Sequence, residues 1–185
     1  MNKLKKYCPV ILGNKVRLRL IQQADIEILR HWRNENRFAF FDSSYISAER
    51  QQKWFEHYWE KEDDLIFIIE TPDAKPIGTI SLYRIDLSSM RTKFGRMIIG
   101  DIKSRKKGFA RDASEGLIRF AFSTMNLRQL SLGVFKNNER AIKLYEKIGF
   151  RKVQVPEDDH AFEKTVMILD KDTYLNLRQI RKDVT

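Results

Sequence analysis

An asparagine and a tyrosine seven residues apart carry the clearest chemistry in this 185-residue chain. Asn138 precedes a stretch with helical spacing, so its side-chain oxygen is expected to cap that helix by accepting the N–H of Ala141. Tyr145 follows nearly two turns later and lies on the same side of the helix. A phenol near a helix start is a candidate proton donor to a leaving thiolate, although a tyrosine here also suits an ordinary core position.

A second stretch, "RKKGFA" (105–110), combines three cations with a glycine. A helix is predicted to begin at about Gly108, and the first N–H groups of a helix are unsatisfied and carry partial positive charge. These groups suit a phosphate, and Gly108 lets the backbone approach an anion because it has no Cβ. Taken alone, a polar turn entering a surface helix explains the stretch as well. It matches neither the G-x-G-x-x-G fingerprint nor the P-loop.

The elements that must position these residues follow from hydrophobic periodicity, caps and turns. Ser47 is predicted to cap the second helix, Gly149 to end the last one, and "TPDAKP" to join a β-hairpin. Strands are predicted at 14–21, 65–70, 77–85, 93–101, 128–135, 151–155 and 162–169, and helices at 25–34, 47–61, from about 108 onward and 139–148. This order, without a repeat or linker, predicts one domain over residues 1–185 and a mixed α/β (α+β) sheet.

Composition restricts the partners and the location. The net charge of +10 favours an acidic partner such as a phosphorylated small molecule, but the cations are spread along the chain, which disfavours nucleic acid as the main partner. No apolar run approaches the roughly 20 residues of a membrane helix, and the first residues do not form a secretory signal. The single cysteine, Cys8, excludes an internal disulfide and is a poor candidate nucleophile. We therefore expect a cytoplasmic protein that does not act at a membrane.

Together the two blocks resemble the GNAT superfamily of acyl-CoA N-acyltransferases. The family's diphosphate loop reads Q/R-x-x-G-x-G/A, which residues 105–110 match, and its later block reads N-x-x-A-x-x-x-Y-x-x-x-G-F, which residues 138–150 match in register. The resemblance covers about residues 13–170. It implies a twisted, mostly antiparallel sheet of about six to seven strands, splayed at its centre and flanked by about four helices.

The resemblance also implies acetyl-CoA as co-substrate and direct attack of a neutral amine on the thioester, without a covalent enzyme intermediate. Backbone groups of Ile98, Ile99 and Gly100 would pair with the pantetheine arm. The diphosphate would be held at Arg105, Lys106, Lys107, Gly108, Phe109 and Ala110. Asn138 would contact the CoA arm or the thioester region, and Tyr145 would protonate the departing sulfur.

The sequence departs from the family where a general base is expected. Many relatives place a glutamate on the central strand just before the position of Gly95, whereas this chain has Thr92-Lys93-Phe94 there. His31, Glu35 and His57 are conceivable bases, yet each suits a surface or packing position as well. No base is assigned, and none is needed if the amine arrives deprotonated.

The acceptor side is predicted in the first half of the chain, with Trp32, Arg33 and Asn34 as substrate contacts. This segment resembles the branch that holds ribosomal-protein N-terminal, polyamine and amino-sugar acetyltransferases. The continuation to "QQKWFE" (51–56) is most similar to enzymes acting on nucleotide-linked 4-amino sugars. Arginines there suit phosphates, while the aromatic residues suit either a base or the core. The basic balance disfavours a polycationic amine.

Three functions stay open at this point. The first is acetyl-CoA-dependent N-acetylation of a small amine, such as a nucleotide-linked 4-amino sugar. The second is the same chemistry on a protein or peptide N-terminus. The third is a basic binding module that kept the fold and lost catalysis, consistent with the missing strand glutamate. No metal site is indicated, and a homodimer is left open.

Overall fold

The structure is a computed structural model that describes residues 3–154 and 164–183. Its centre is one eight-stranded sheet. In chain order the strands are β1 (Ile11–Leu12), β2 (Arg17–Leu20), β3 (Asp64–Glu70), β4 (Pro76–Asp86), β5 (Arg91–Ile99), β6 (Gln129–Phe135), β7 (Arg151–Val153) and β8 (Lys164–Asp170). The α-helices are α1 (Lys3–Lys6), α2 (Ile26–Glu35), α3 (Ala48–Tyr58), α4 (Phe109–Arg119), α5 (Glu139–Ile148) and α6 (Lys171–Asp183).

The strands lie in the order β1-β2-β3-β4-β5-β6-β8-β7, and every neighbouring pair is antiparallel except β5 and β6. The mixed, mostly antiparallel sheet and the β3–β4 hairpin are thus confirmed. The sheet is larger than expected because β1 adds a short edge strand. Helices α1 and α6 were also not predicted.

Local capping follows the sequence closely. The Ser47 hydroxyl accepts the Arg50 N–H at 3.1 Å, and Asn138 Oδ1 accepts the Ala141 N–H at 3.1 Å, so both caps are confirmed. Helix α3 ends at Tyr58, earlier than predicted, whereas α4 continues through a π-helical segment, Phe120–Thr124. The predicted strand residues 155 and 162–163 lie outside the described part of the chain.

The sheet buries both faces, as β3 shows. All seven residues of β3 are buried. Leu65, Phe67 and Ile69 belong to the large core that includes the apolar side of α4, whereas Ile66 and Ile68 belong to a smaller cluster with residues of α3. Because successive side chains of a strand point to opposite faces, the helices must lie on both sides of the sheet.

Strands β5 and β6 pair only at their first residues. Residues 91–93 of β5 are in parallel register with residues 129–131 of β6, and no pairing between the two strands continues beyond that point. Strand β6 instead pairs with β8 along its whole length. Beyond these residues the two strands separate, and we call the gap between them the opening. Helix α5 follows β6 directly, so Asn138 and Tyr145 lie beside this opening.

Within residues 3–154 and 164–183, no helix has the length and apolar character required to cross a bilayer.

One carboxylate ties the start of α4 to the β1–β2 turn. Asp112, in the first turn of α4, accepts the backbone N–H groups of Asn14, Lys15 and Val16 at 3.0, 2.8 and 3.0 Å. Gly13 permits this approach, because a Cβ at Gly13 would lie 2.3 Å from the carboxylate oxygen. The turn and the helix start are therefore held as one unit.

Replacing Asp112 with alanine is expected to lower the free energy of unfolding by about 2 kcal/mol or more, since three N–H groups lose a charged acceptor. Chemical denaturation measures this change. Asp63→Ala removes an exposed carboxylate and serves as the control. Equal stability of the two variants would contradict the role given to Asp112.

Candidate active site

The loop before α4 presents unsatisfied backbone N–H groups. Gly108 precedes the helix with φ 85°, and no side chain caps the helix start. Lys106 also has a positive φ, 63°. Alternation of left-handed residues with ordinary ones turns successive N–H groups toward a common point, which makes an anion-binding concavity. The loop predicted for the diphosphate thus has the local geometry for an anion.

The cations around this loop differ from those expected. The exposed side chains of Lys106 and Lys107 remain at the loop. Arg105 instead donates from Nε to the Ile99 carbonyl at 3.0 Å and from Nη2 to Asn36 Oδ1 at 3.2 Å, so its guanidinium ties β5 to the end of α2. Lys15 adds a cation that the sequence did not indicate, since its Nζ lies 3.5 Å from where a Cβ on Gly108 would be.

The end of β5 has fewer free backbone groups than expected. The Gly100 N–H donates to the Ile77 carbonyl at 2.9 Å, and the Ile99 carbonyl is taken by Arg105. Ile98 and Ile99 are in register with Thr79 and Gly78 of β4. On the other edge of β5, neither residue is paired with β6, because that pairing ends at Lys93.

We call the cavity in the opening between β5 and β6 the inner cavity. Its volume is about 180 Å³, and its walls come from β5, β6 and α5. The lining includes residues 94–97, residues 132–135, Asn138, Ala141 and Tyr145. An extra residue in β5 bends the strand here, because Ser81 pairs with Gly95 but Thr79 pairs with Ile98. Arg96, inside this bulge, has φ 48°.

Tyr145 is held in the inner cavity by aromatic packing. Its ring meets Phe94 edge-to-face with centroids 6.1 Å apart and Phe150 at 5.8 Å. The residue is 7% exposed, and burial raises the pKa of its phenol to about 12. The hydroxyl therefore stays protonated at neutral pH and is suited to donate a proton.

A larger cavity, which we call the outer cavity, lies on the side of α2 and α3. Its volume is about 430 Å³. Its charged lining residues are Arg33, Asp42, Arg50 and Arg96. Its aromatic lining residues are Phe40, Phe41, Trp54 and Tyr83. The cavity is therefore cationic and aromatic.

Two of the three arginines of the outer cavity have carboxylate partners. Arg96 donates from Nη1 to both oxygens of Asp64, at 3.0 and 2.8 Å, and Arg50 lies 3.8 Å from Asp42. Arg33 lies 3.8 Å above the Phe40 ring and donates from Nη2 to the Asp42 backbone carbonyl. Its Nη1 is buried and has no hydrogen-bond partner among the described residues.

A polar row on β4 forms part of the outer cavity. Thr79, Ser81 and Tyr83 alternate along the strand and line this cavity. Ser81 is fully buried, and its hydroxyl has no partner within the described residues. Sequence reasoning missed this row, although polar residues at every second position of a central strand were the available signal.

Of the three predicted acceptor contacts, the structure brings only Arg33 to a cavity. Trp32 is 4% exposed and packs against Gly100, where a Cβ would lie 2.1 Å from the indole ring. Asn34 exchanges two hydrogen bonds of 2.9 Å with the backbone of Ile46 and so fixes the following loop. Trp32 and Asn34 line neither cavity.

The conceivable bases are not brought to the cavities. His31 and Glu35 pair with each other at 3.2 Å on the exposed side of α2, and the exposed His57 contacts the Lys53 carbonyl. None of the three lines either cavity. Burial raises the pKa of the Cys8 thiol to about 12, so this thiol is protonated at neutral pH and suits no nucleophilic role.

The two cavities meet at four residues that line both. We call this group the seam, and it consists of Phe40, Phe41, Tyr83 and Arg96. An amine entering the outer cavity and a thioester in the inner cavity would meet there. The arrangement supports transfer of an acyl group between two molecules bound on opposite sides of the seam.

Comparison of the sequence with known proteins identifies the family of this chain. The sequence profile described as "Acetyltransferase (GNAT) domain" matches residues 15–151. The chain belongs to the GNAT acetyltransferase family. It is an acetyl-CoA-dependent N-acetyltransferase, with acetyl-CoA as co-substrate.

Similar proteins divide between two acceptor classes. Spermidine N(1)-acetyltransferase of Vibrio cholerae is 23% identical over 141 residues, 75% of this chain and 80% of its own length. Its crystal structure with CoA and spermine superposes with a TM-score of 0.78 over 89% of this chain and 100% of that one. Acetyltransferase PseH of Campylobacter jejuni is 24% identical over 131 residues, 70% of this chain and 79% of its own.

The structure of apo FdhC, a nucleotide-linked sugar GNAT, superposes with a TM-score of 0.79 at 24% identity. It covers 94% of this chain and 97% of that one. At this identity the superpositions show a shared fold and leave the acceptor undetermined.

Gly108→Val is expected to weaken acetyl-CoA binding by about tenfold or more, because a branched residue is strained at positive φ and its side chain enters the loop that faces the anion. Titration calorimetry measures the affinity. Gly116→Ala, within α4, is the matched control, because a Cβ there would lie at an ordinary contact distance of 3.8 Å from Ile11. Unchanged affinity in Gly108→Val would place the diphosphate elsewhere.

Proposed function

We propose that the acceptor is a small amine carrying an anionic group, with a nucleotide-linked 4-amino sugar as the class that fits best. The observation that carries this proposal is Arg33 Nη1, which is buried at the outer cavity without a hydrogen-bond partner in the described residues. A buried charged donor left unpaired is costly, and a phosphate oxygen would satisfy it.

The charge of the outer cavity supports an anionic acceptor. Three guanidiniums and one carboxylate line it. Burial is the main cause that lowers the pKa of Arg33; Asp42 opposes this shift, and Arg50 and Arg96 add to it. A polyamine would be repelled by this lining, whereas a diphosphate would be attracted.

The remaining wall suits a base or sugar. Phe40, Phe41 and Trp54 give flat apolar surface, and Thr79 and Ser81 give hydroxyl groups at its base. Aromatic faces stack on nucleobases, and hydroxyl groups form hydrogen bonds with the polar groups of a sugar. The description of one similar structure, the nucleotide-linked sugar GNAT FdhC, agrees with this class, while the names of the spermidine enzymes do not.

The chain's own residues divide the chemistry between the two cavities. Free N–H groups at the start of α4, with Lys15, Lys106 and Lys107, would hold the diphosphate of acetyl-CoA. The open edge of β5 would align its arm. We assign Tyr145 the proton donor's role, because its protonated phenol lines the inner cavity. A cytoplasmic location, as expected from the sequence, fits this cofactor.

An acceptor panel tests the proposed function. The amines are a UDP-linked 4-amino sugar, spermidine and a peptide with a free N-terminus, and released CoA thiol is measured. We expect the highest kcat/KM with the amino sugar, and Arg33→Gln should lower that value about 10- to 100-fold. Arg151→Gln, which affects a remote pair with Asp170, is the control.

Preference for spermidine, or for the peptide, would overturn the acceptor assignment while leaving the acetyltransferase chemistry intact. If the wild type acetylates no amine but binds RNA tightly and in a salt-dependent manner, the proposed function itself is wrong, and a binding module takes its place.

Tyr145→Phe is expected to lower kcat by about 100-fold or more, because a general acid contributes on this scale. Since its pKa is raised to about 12, the donor stays protonated well above neutrality. The wild-type kcat should therefore show no falling limb up to about pH 10, the ordinary pKa of tyrosine. A falling limb below that pH would contradict the assignment.

A further inference from the structure

The seam contains one neutral polar group. Phe40 and Phe41 have no polar side-chain atoms, and Arg96 is a cation paired with Asp64. Tyr83 is the remaining member and the one with a hydroxyl that can both donate and accept a hydrogen bond. The acceptor amine loses a proton when it attacks the thioester at the seam, and the Tyr83 hydroxyl is a group there that can accept it.

Tyr83 is held firmly at the seam. The guanidinium carbon of Arg96 lies 4.1 Å from the centre of the Tyr83 ring, and Asp64 holds that guanidinium through two hydrogen bonds. The hydroxyl lies over the bulge of β5, 3.6 Å from where a Cβ on Gly95 would be. A larger residue at position 95 would therefore crowd the hydroxyl.

Tyr83 and Tyr145 both line the inner cavity. Neither phenol hydroxyl forms a hydrogen bond within residues 3–154 and 164–183. Tyr145 is 7% exposed, whereas Tyr83 is half-buried. Two phenol hydroxyls without hydrogen-bond partners in the described residues, on walls of one cavity, are free to donate to and accept from bound molecules.

We propose that Tyr83 is a second catalytic residue, which accepts the proton of the acceptor amine and relays it through Tyr145 to the leaving sulfur. The amine nitrogen bonds to the thioester carbonyl carbon, and the carbon–sulfur bond breaks. The N–H proton passes to Tyr83 oxygen while the Tyr83 proton passes, directly or through one water, to Tyr145. Tyr145 gives its own proton to sulfur.

This relay leaves both tyrosines neutral, so the reaction needs no separate base. One N–H is lost and one S–H is gained. Burial raises the pKa of both phenols, which favours their neutral forms before and after the transfer. The relay thus accounts for a site in which the strand position before Gly95 is occupied by Phe94, a fully buried apolar residue.

The inference rests on the proposed function for the role of Tyr145 and does not depend on the identity of the amine. The variants are therefore compared with whichever amine the wild type acetylates. Failure of the amino sugar in the acceptor panel leaves this test intact, and failure of the relay leaves the acceptor assignment intact.

The first test is Tyr83→Phe, which keeps the ring beneath Arg96 and removes only the hydroxyl. We expect kcat to fall by about 100-fold, with the affinity for acetyl-CoA and the unfolding temperature unchanged. Tyr174→Phe is the matched control, because Tyr174 also has an arginine over its ring, at 5.7 Å, is buried, and lines neither cavity. Equal kcat in Tyr83→Phe and the wild type would overturn the proposal.

The second test distinguishes a relay from two separate contributions. Residues of one relay act as a unit, so Tyr83→Phe/Tyr145→Phe should lose no more than either single variant. Losses that multiply would overturn the relay. A further measurement follows kcat as the fraction of heavy water in the solvent is increased. For the wild type, the plot of kcat against this fraction should be curved because several protons move together. For Tyr83→Phe, the plot should be linear. A curve in both proteins would contradict proton transfer through Tyr83.

The third test does not use activity. NMR of isotope-labelled tyrosine follows the titration of Tyr145 in the free protein. A charge on Tyr83 opposes ionisation of Tyr145, and the charges nearest Tyr83 are Arg96, Arg84 and Asp64. We expect Tyr83→Phe to shift the Tyr145 titration to lower pH, and Tyr174→Phe to leave it in place. An unshifted titration in Tyr83→Phe would show that the two phenols are not coupled.

Discussion

The separation of β5 from β6 is the constraint on which the site depends. The two strands share only three paired residues, while β6 pairs with β8 along its whole length, so the sheet leaves one edge of β5 unpaired at its centre. Unpaired backbone in a buried sheet is costly unless a ligand or water completes it. The bulge at Arg96 increases the bend, and α5 places Tyr145 beside the opening. In the proposed mechanism, the cofactor arm, the proton donor and the acceptor would meet here because the pairing of β5 with β6 ends after three residues.

The charge distribution of the outer cavity is the basis of the proposed acceptor class. Three guanidiniums line the outer cavity, and carboxylates neutralise them only in part. Fold alone is compatible with polyamine and sugar enzymes alike, because the same scaffold supports both. We therefore propose that acceptor choice depends on a few side chains on α2, the following loop and β5, and that acetyl-CoA binding depends on backbone geometry around α4.

Features encoded by neighbouring residues were predictable, and features made by distant residues were not. The caps at Ser47 and Asn138 and the glycine before α4 follow from local rules, and the structure has them. Lys15 is brought to the loop by Asp112, nearly one hundred positions away, so no local pattern contains it. Trp32 and Arg33 are adjacent in sequence yet point to different environments, which only the packing against Gly100 decides.

One segment, Phe40 and Phe41, lines both cavities. Phe41 packs on Phe135 of β6, with centroids 4.5 Å apart, and it also lines the outer cavity beside Phe40 and Arg33. If one substrate displaces this segment, the surface that contacts the other substrate changes as well. Thermodynamic linkage then requires the effect to be mutual: whatever factor acetyl-CoA applies to the affinity for the amine, the amine applies to the affinity for acetyl-CoA.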